Sequence, residues 1–245
     1  MSGMPPLVLL AGGLATRMRP MTETIPKSML EVAGKPFLDH QLALFARQGV
    51  RRVVICAGYL GEQMQAFAGN GSRWGLSIAW SFDGDQLLGT GGALMRALPL
   101  LGEEFLVTYG DSYLDEPFGP VVDAFRASGQ PGLMTVFRNG GRYDTSNIEF
   151  ENGRLKRYDK SNLTPAMLHI DYGLQVLKRE VLAGWPEARK FDLAAVYASL
   201  VEQGRMAGYE TARRFHEIGS PQGLAALDEF LKGKTRWLPN IPRLT

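Results

Sequence analysis

The chain has 245 residues, 45% hydrophobic and 21% charged, with a formal net charge of +2, which suits one globular α/β domain. So small a charge gives no electrostatic case for nucleic acid or an acidic membrane as partner. Its single cysteine, Cys56, excludes an intrachain disulfide framework and a multi-cysteine zinc site. Within the apolar run Val53-Val54-Ile55-Cys56 that residue reads as a buried, inert thiol. The N-terminus lacks the basic segment and apolar core of a signal peptide, and no apolar run reaches the roughly 18 residues of a membrane span, so a soluble cytoplasmic protein is expected.

Leu7 to Leu10 is predicted as a short buried strand. It runs into Ala11-Gly12-Gly13-Leu14-Ala15-Thr16-Arg17-Met18-Arg19-Pro20 and on to Pro26-Lys27. A polar loop of about two dozen residues is either functional or a sign of misassignment, and here it reads as functional. Two adjacent glycines let the backbone approach a ligand and leave N–H groups free for an anion. Arg17, Arg19 and Lys27 add fixed positive charge to the same loop. The pattern is no P-loop, because Gly-Lys-Ser/Thr is missing, and no dinucleotide fingerprint, because Gly-x-Gly-x-x-Gly is missing.

Phe37 to Gln48 carries a helical apolar stripe at 38, 42 and 45, with Pro36 at its start and Gly49 at its end. Arg51 to Ala57 is a second strand, Glu62 to Ala68 a short helix and Leu76 to Phe82 a third strand. A second glycine turn, Gly89-Thr90-Gly91-Gly92, opens a helix, and Asp83-Gly84-Asp85 before it reads as a plain turn. Phe105 to Tyr109 is a strand ending at Gly110-Asp111. Alternating strands and helices argue for an α/β fold with a doubly wound, mostly parallel mixed sheet, whose ligands sit beyond the strands' carboxyl ends. Both glycine turns and Asp111 fall at that edge.

A helix over 117–128 and a strand over 133–137 follow. Ser146 to Phe150 and Arg154 to Tyr158 flank an Asn152-Gly153 hairpin turn, and Ile170 to Leu177 is a further strand. This β-rich stretch is expected to cover one end of the main sheet. A helix over 193–203, a strand over 207–211 and a helix from Pro221 to Leu231, begun by Ser220, complete the chain.

Asp111 is the strongest metal-binding candidate, because a carboxylate that ends a hydrophobic strand has few structural reasons to be there. Magnesium is held by one or two carboxylates plus substrate phosphates.

The first loop, with Gly-Gly, Thr-Arg and Pro-Lys in that order, resembles the signature Gly-Gly-x-Gly-Thr-Arg-Leu…Pro-Lys of the sugar-1-phosphate nucleotidyltransferases. The likeness spans nearly the whole chain and implies a Rossmann-like nucleotidyltransferase fold with a small β-rich sugar-binding subregion. It implies one domain over 1–245, with 1–137 mainly nucleotide-binding and 138–245 mainly sugar-phosphate-binding plus a closing helix. The reaction so implied moves a nucleotidyl group from a nucleoside triphosphate, GTP favoured, to a sugar 1-phosphate, with Mg²⁺ as cofactor. Within the family, the compact length and Leu88-Gly89-Thr90-Gly91-Gly92-Ala93 look most like heptose-1-phosphate guanylyltransferases and N-acetylmuramate-1-phosphate uridylyltransferases.

By the same resemblance Arg17, Lys27 and Asp111 are catalytic. Leu10, Ala11, Gly12, Gly13, Thr16, Arg17, Gly89, Thr90 and Gly91 bind the nucleotide. Lys27, Asn147, Lys160, Tyr172 and Gly173 grip the sugar phosphate. Phe215-His216-Glu217-Ile218-Gly219-Ser220-Pro221 resembles the family's Asp-Ile-Gly-Thr-Pro, so Glu217 joins Asp111 as a metal ligand, directly or through water. Ala15 stands where the family has glycine. A positive φ there would cost alanine about 1 kcal/mol, whereas a need for room alone is tolerated, and the second is expected. Two alternatives stay open, a non-sugar phosphate or phosphonate acceptor and a catalytically silent nucleotide-sugar-binding regulator, and a homo-oligomer is compatible with the sequence.

Overall fold

The computed structural model describes residues 3–187 and 189–236. Residues 237–245, the end of the expected acceptor half, lie outside the described residues. In chain order the elements are β1 (Leu7–Leu10), β2 (Glu31–Val32), β3 (Lys35–Pro36), α1 (Phe37–Arg47), β4 (Arg52–Ala57), α2 (Gly61–Ala68), β5 (Ser77–Phe82), α3 (Gly89–Ala97), β6 (Glu104–Tyr109) and β7 (Ser112–Leu114). There follow α4 (Phe118–Ser128), β8 (Gly132–Arg138), β9 (Ile148–Glu151), β10 (Arg154–Tyr158), β11 (His169–Lys178), α5 (Leu193–Glu202), β12 (Met206–Thr211), β13 (Phe215–Glu217) and α6 (Pro221–Arg236).

Nine strands form one sheet in the order β5-β4-β1-β6-β11-β8-β12-β10-β9. Pairings β5–β4, β4–β1, β1–β6 and β8–β12 are parallel. Only β11 and β10 run against the rest, so the sheet is mixed but mostly parallel, as expected. β1 is buried along its whole length, which its unbroken apolar run requires of a strand covered on both faces. One face packs on α1, α2 and α4 through Leu38, Leu42, Met64, Val121 and Phe125. The other packs on α3 and α5 through Leu94, Ala97, Val196, Tyr197 and Leu200. α6 seals a third cluster with Leu227 and Leu231 against Val32, Phe37 and Tyr113. Among the described residues no helix is long and apolar enough to cross a membrane.

Two features depart from the sequence reading. The loop after β1 is not structureless, since it contains single 3-10 turns at Thr16–Met18 and Lys27–Met29 and the short β2–β3 pair. β7 and β13 pair antiparallel in a separate small sheet, with Glu217 opposite Ser112. Two- and three-residue strands are too short to leave a period-2 pattern in sequence. The hairpin turn is as expected, with Asn152 at φ 50° and Gly153 at φ 75°.

The carboxyl end of β6 is where these layers join. Four successive carbonyls there are taken by donors from elsewhere. Gln41 Nε2, on α1, donates to Tyr109 O and to Ser112 O, each at 2.9 Å. Ser28 Oγ donates to Gly110 O at 2.8 Å and Ile218 N to Asp111 O at 2.9 Å. Gln41 is fully buried, and its Oε1 has no hydrogen-bond partner in the structure. The residue is therefore held for its two donors. Gln41→Leu strands two carbonyls at about 1–3 kcal/mol each but removes the orphaned Oε1, so a net loss of about 1–3 kcal/mol is expected in the unfolding free energy measured by urea titration.

Candidate active site

A cavity of about 410 Å³ opens at the carboxyl ends of β1 and β6. Its lining includes Leu10, Ala11, Gly12, Gly13, Thr16, Lys27, Gly89, Thr90 and Asp111, nine of the residues singled out in the sequence. The loop after β1 passes close to that after β4: a Cβ on Gly58 would lie 2.5 Å from Gly12 O, and one on Gly12 would lie 3.1 Å from Gly58 N. The backbone N–H groups of the first loop are thereby brought to the cavity wall.

Ala15 corrects an expectation. It takes φ 49°, ψ 39°, the left-handed region, and not merely a roomy position. Alanine there is strained by about 1–2 kcal/mol. Its carbonyl accepts Thr22 Oγ1 at 2.9 Å and Met18 N at 3.0 Å, contacts that hold the strained turn.

The second glycine turn is small because the segment before α5 lies across it. A Cβ on Gly91 would fall 2.1 Å from the Phe191 ring, and Gly91 N donates to Phe191 O. Gly91 faces that ring and not the cavity, which corrects its expected contact with nucleotide. Thr90 lines the cavity, but its hydroxyl donates to Asp192 Oδ1 at 2.9 Å and accepts Leu193 N at 2.8 Å, tying the turn to the start of α5.

Lys27 and Asp111 meet in an ion pair at 2.7 Å, with side chains 20% and 28% exposed. Ser112 Oγ donates to the other Asp111 oxygen at 3.2 Å. Arg17 is exposed and outside the cavity lining; its guanidinium Nη2 lies 3.5 Å from where a Cβ on Gly219 would sit. Glu217 turns back on its own loop, where Oε2 accepts the Gly219 N–H and Oε1 accepts the Ser220 hydroxyl at 3.1 Å. Its backbone neighbour Ile218 touches Asp111 O, so the two carboxylate residues lie on adjacent chain segments.

The residues expected to grip the sugar phosphate lie on and around β11, across β6 from β1 and its glycine loop. β11 bulges between Asp171 and Gln175 against β8, and Gly173 takes φ 95° there, a device common beside active sites. The bulge sets Gly173 close to Ser112 and to the Tyr109 ring. Asp171 Oδ1 pins it by accepting Gly173 N at 2.9 Å and Gln175 Nε2 at 2.5 Å. Asn147 is buried in the same region, its Oδ1 accepting Asp171 N at 3.4 Å, and Lys160 is near enough for its charge to act on Asp171. Tyr172 is a correction: its side chain is 1% exposed, packs edge-on to Phe215 and belongs to the core, so the ring is not available to a sugar.

Sequence reasoning missed three residues. Asp83, dismissed as part of a turn, is buried and lines the cavity; Lys190 lines it from the segment before α5. Asp171 carries the bulge. The signal for Asp83 was the Asp-Gly-Asp motif itself; for Lys190 there was none. Cys56 reaches the cavity floor, where burial pushes its thiol far up, so it is inert as read.

Among the described residues no three His, Cys, Asp or Glu side chains gather to hold a metal. The oxygen donors present nevertheless fit magnesium, which needs one or two carboxylates beside substrate phosphates. Asp111 ends its strand in the cavity with only a lysine and a hydroxyl to displace or share. Glu217 fits less well, both oxygens being engaged.

The profile of the family described as Nucleotidyl transferase matches residues 7–149. The chain is also 31% identical over 231 residues to the N-acetylmuramate alpha-1-phosphate uridylyltransferase of Caulobacter vibrioides, across 90% of this chain and 94% of that one. The chain belongs to the nucleotidyl transferase family. It is 26% identical over 240 residues to the catalytic subunit beta of mannose-1-phosphate guanylyltransferase from Danio rerio, across 96% of this chain and 65% of that protein. The crystal structure of HddC from Yersinia pseudotuberculosis shares the fold, with a TM-score of 0.79, 22% identity and coverage of 93% of this chain and all of that one.

Burial pushes the Asp171 carboxyl up to about 6, against opposing pulls from the Gly173 N–H and the Lys160 charge. Its native form thus holds a proton more tightly than the unfolded chain. This contribution to stability is present below about pH 4 and is lost as pH rises to about 6. Asp171→Asn is expected to abolish that slope, so the melting temperature of the variant should gain on the wild type between pH 4 and 7.

Proposed function

We propose that the protein transfers a nucleotidyl group from a nucleoside triphosphate to a sugar 1-phosphate, releasing pyrophosphate. What carries the reading is the meeting of Lys27, Asp111 and the Gly12–Gly13 backbone around one cavity at the carboxyl ends of β1 and β6. That set supplies anion-binding N–H groups, a cation and a metal-binding carboxylate within one wall, which is the minimum for this chemistry. Family membership supports the same reaction class.

A phosphate oxygen of the sugar 1-phosphate attacks the α-phosphorus, and the bond to the bridging oxygen of the β-phosphate breaks. No general base is required, since the attacking phosphate is already ionised at neutral pH. Lys27 and Lys160 align the attacking phosphate, and Arg17 holds the leaving pyrophosphate after moving in from its exposed position. Asp111 would hold a magnesium ion, with Glu217 as the second candidate carboxylate, and the ion when bound would supply positive charge to the α-phosphate. The division of labour follows the chain, with 1–137 serving mainly the nucleotide and 138–245 mainly the acceptor. Positioning two anions in line contributes about 7–11 kcal/mol in favourable cases.

One observation favours a second reading. Both Glu217 oxygens are engaged within their own turn, which leaves the second metal carboxylate of the transferase reading unfilled and favours a protein that binds nucleotide sugars without turning them over.

Pyrophosphate release in magnesium, with four triphosphates crossed against hexose, heptose and N-acetylhexosamine 1-phosphates, separates the two. Turnover that needs both substrates and falls in Asp111→Asn on the order of 10²–10³-fold is expected. Nucleotide-sugar binding without turnover by any pair would contradict the transferase and favour the silent binder.

A further inference from the structure

Between α5 and β11 runs a chain of polar side chains that the transfer chemistry does not use. Gln175 and Tyr197 are both 0% exposed. Gln175 lies in register with Val107 of β6 and Met134 of β8, whose side chains share one apolar cluster with Tyr197. Tyr197 Oη donates to Gln175 Oε1 at 3.2 Å, and Gln175 Nε2 donates to Asp171 Oδ1 at 2.5 Å. The carboxylate fixes these directions. As an acceptor it demands the amide N–H, which turns Oε1 to α5 and makes the phenol the donor. The Tyr109 hydroxyl is in turn hydrogen-bonded to that of Tyr197.

An apolar pair of the same shape would join α5 to the sheet as well, because burying a polar pair returns little net stability. What the polar pair adds is direction. Asp171 Oδ1 also accepts Gly173 N at 2.9 Å, and Thr135 Oγ1 donates to Leu174 O at 2.7 Å, so the β11 bulge is tied through both side chain and backbone. Gly173, at φ 95°, has no side chain of its own to hold it, and its neighbours set its place. That place is against Ser112 and the Tyr109 ring, the residues that flank Gly110-Asp111.

We infer that Tyr197 and Gln175 are positioning residues for the acceptor: Tyr197 orients the Gln175 amide, the amide holds Asp171, and Asp171 sets the Gly173 backbone against the end of β6. The inference rests on the nucleotidyltransferase reading, which brings the sugar phosphate to β11, but concerns only how that wall is held. Tyr109, which lines the cavity, is also kept by its register with Leu10 and by the Gln41 donor on its carbonyl. The glycine-loop wall is therefore independent of the chain, and the effect of breaking the chain falls on the acceptor.

Steady-state kinetics of pyrophosphate release test it, with the triphosphate and the hexose, heptose or N-acetylhexosamine 1-phosphate that the wild type turns over. Gln175→Met keeps an unbranched side chain that fills the gap and removes both hydrogen bonds, whereas Tyr197→Phe removes one hydroxyl and keeps the ring. The acceptor KM is expected to rise at least about tenfold in Gln175→Met, the worth of a hydrogen bond to a charged group, and about threefold in Tyr197→Phe. The triphosphate KM should stay within about twofold of wild type, a split that a general loss of packing would not produce. Because the two residues act in series, the double variant should be no worse than Gln175→Met alone. Effects that multiply in the double variant, or equal rises in both KM values, would mean separate packing losses and overturn the assignment. So would an unchanged acceptor KM in Tyr197→Phe, which decides the matter by itself where Gln175→Met fails to fold. In those cases the transfer reaction survives; absence of wild-type turnover with every pair would instead remove that reading, and this one with it.

Discussion

The wall of the candidate site depends on how residues 109–112 are held. A strand that ends in a cavity normally exposes its last carbonyls to water. Here four in succession are met by Gln41, Ser28 and Ile218, from α1, the loop after β1 and the segment before α6. One short turn therefore fixes three distant parts of the chain relative to β6. Asp111 points from the centre of this clamp. A carboxylate whose backbone is immobilised on both sides loses little entropy on taking up a ligand, which is the physical content of preorganisation.

The ion pair with Lys27 belongs to the same clamp, since Ser28 anchors the residue next to it. The pair is neither surface nor core. At 20% and 28% side-chain exposure it is less screened than a solvated pair, yet it avoids the desolvation cost of a fully buried one. The lysine can thus be shared with an incoming phosphate without leaving a charge stranded in apolar surroundings. The β11 bulge does similar positional work, setting Gly173 against Tyr109 and Ser112 at the end of β6.

How much of this was legible in the sequence follows from what each feature leaves behind. β1, β4, β6 and the amphipathic helices were visible because buried strands and one-sided helices impose periodicity. The first loop was visible because glycines, arginines and a Pro-Lys at those spacings have few other uses. The β2–β3 and β7–β13 pairs were not, being held by only two or three residues each, and in β7–β13 by partners about 100 residues apart. Ala15 was misjudged because sequence shows the residue and not its φ. Gly91 and Tyr172 were assigned to ligand because small and aromatic residues in a motif look alike whether they face substrate or core. Phe191, far along the chain, is what makes Gly91 small. Asp83 was discounted for the opposite reason: Asp-Gly-Asp is a good turn, and nothing in the sequence tells a turn aspartate in water from one buried in a cavity.

The central claim is that the nucleotide and the acceptor meet at the clamp formed by residues 109–112. Amide hydrogen exchange on the whole protein tests it most directly, with GTP and magnesium added first and a sugar 1-phosphate second. The account predicts protection of 10–16 and 83–93 by the nucleotide, then of 147–173 by the acceptor, with 109–112 slowed at both steps. Protection by the nucleotide elsewhere in the chain, with 10–16 and 109–112 unchanged, would contradict it.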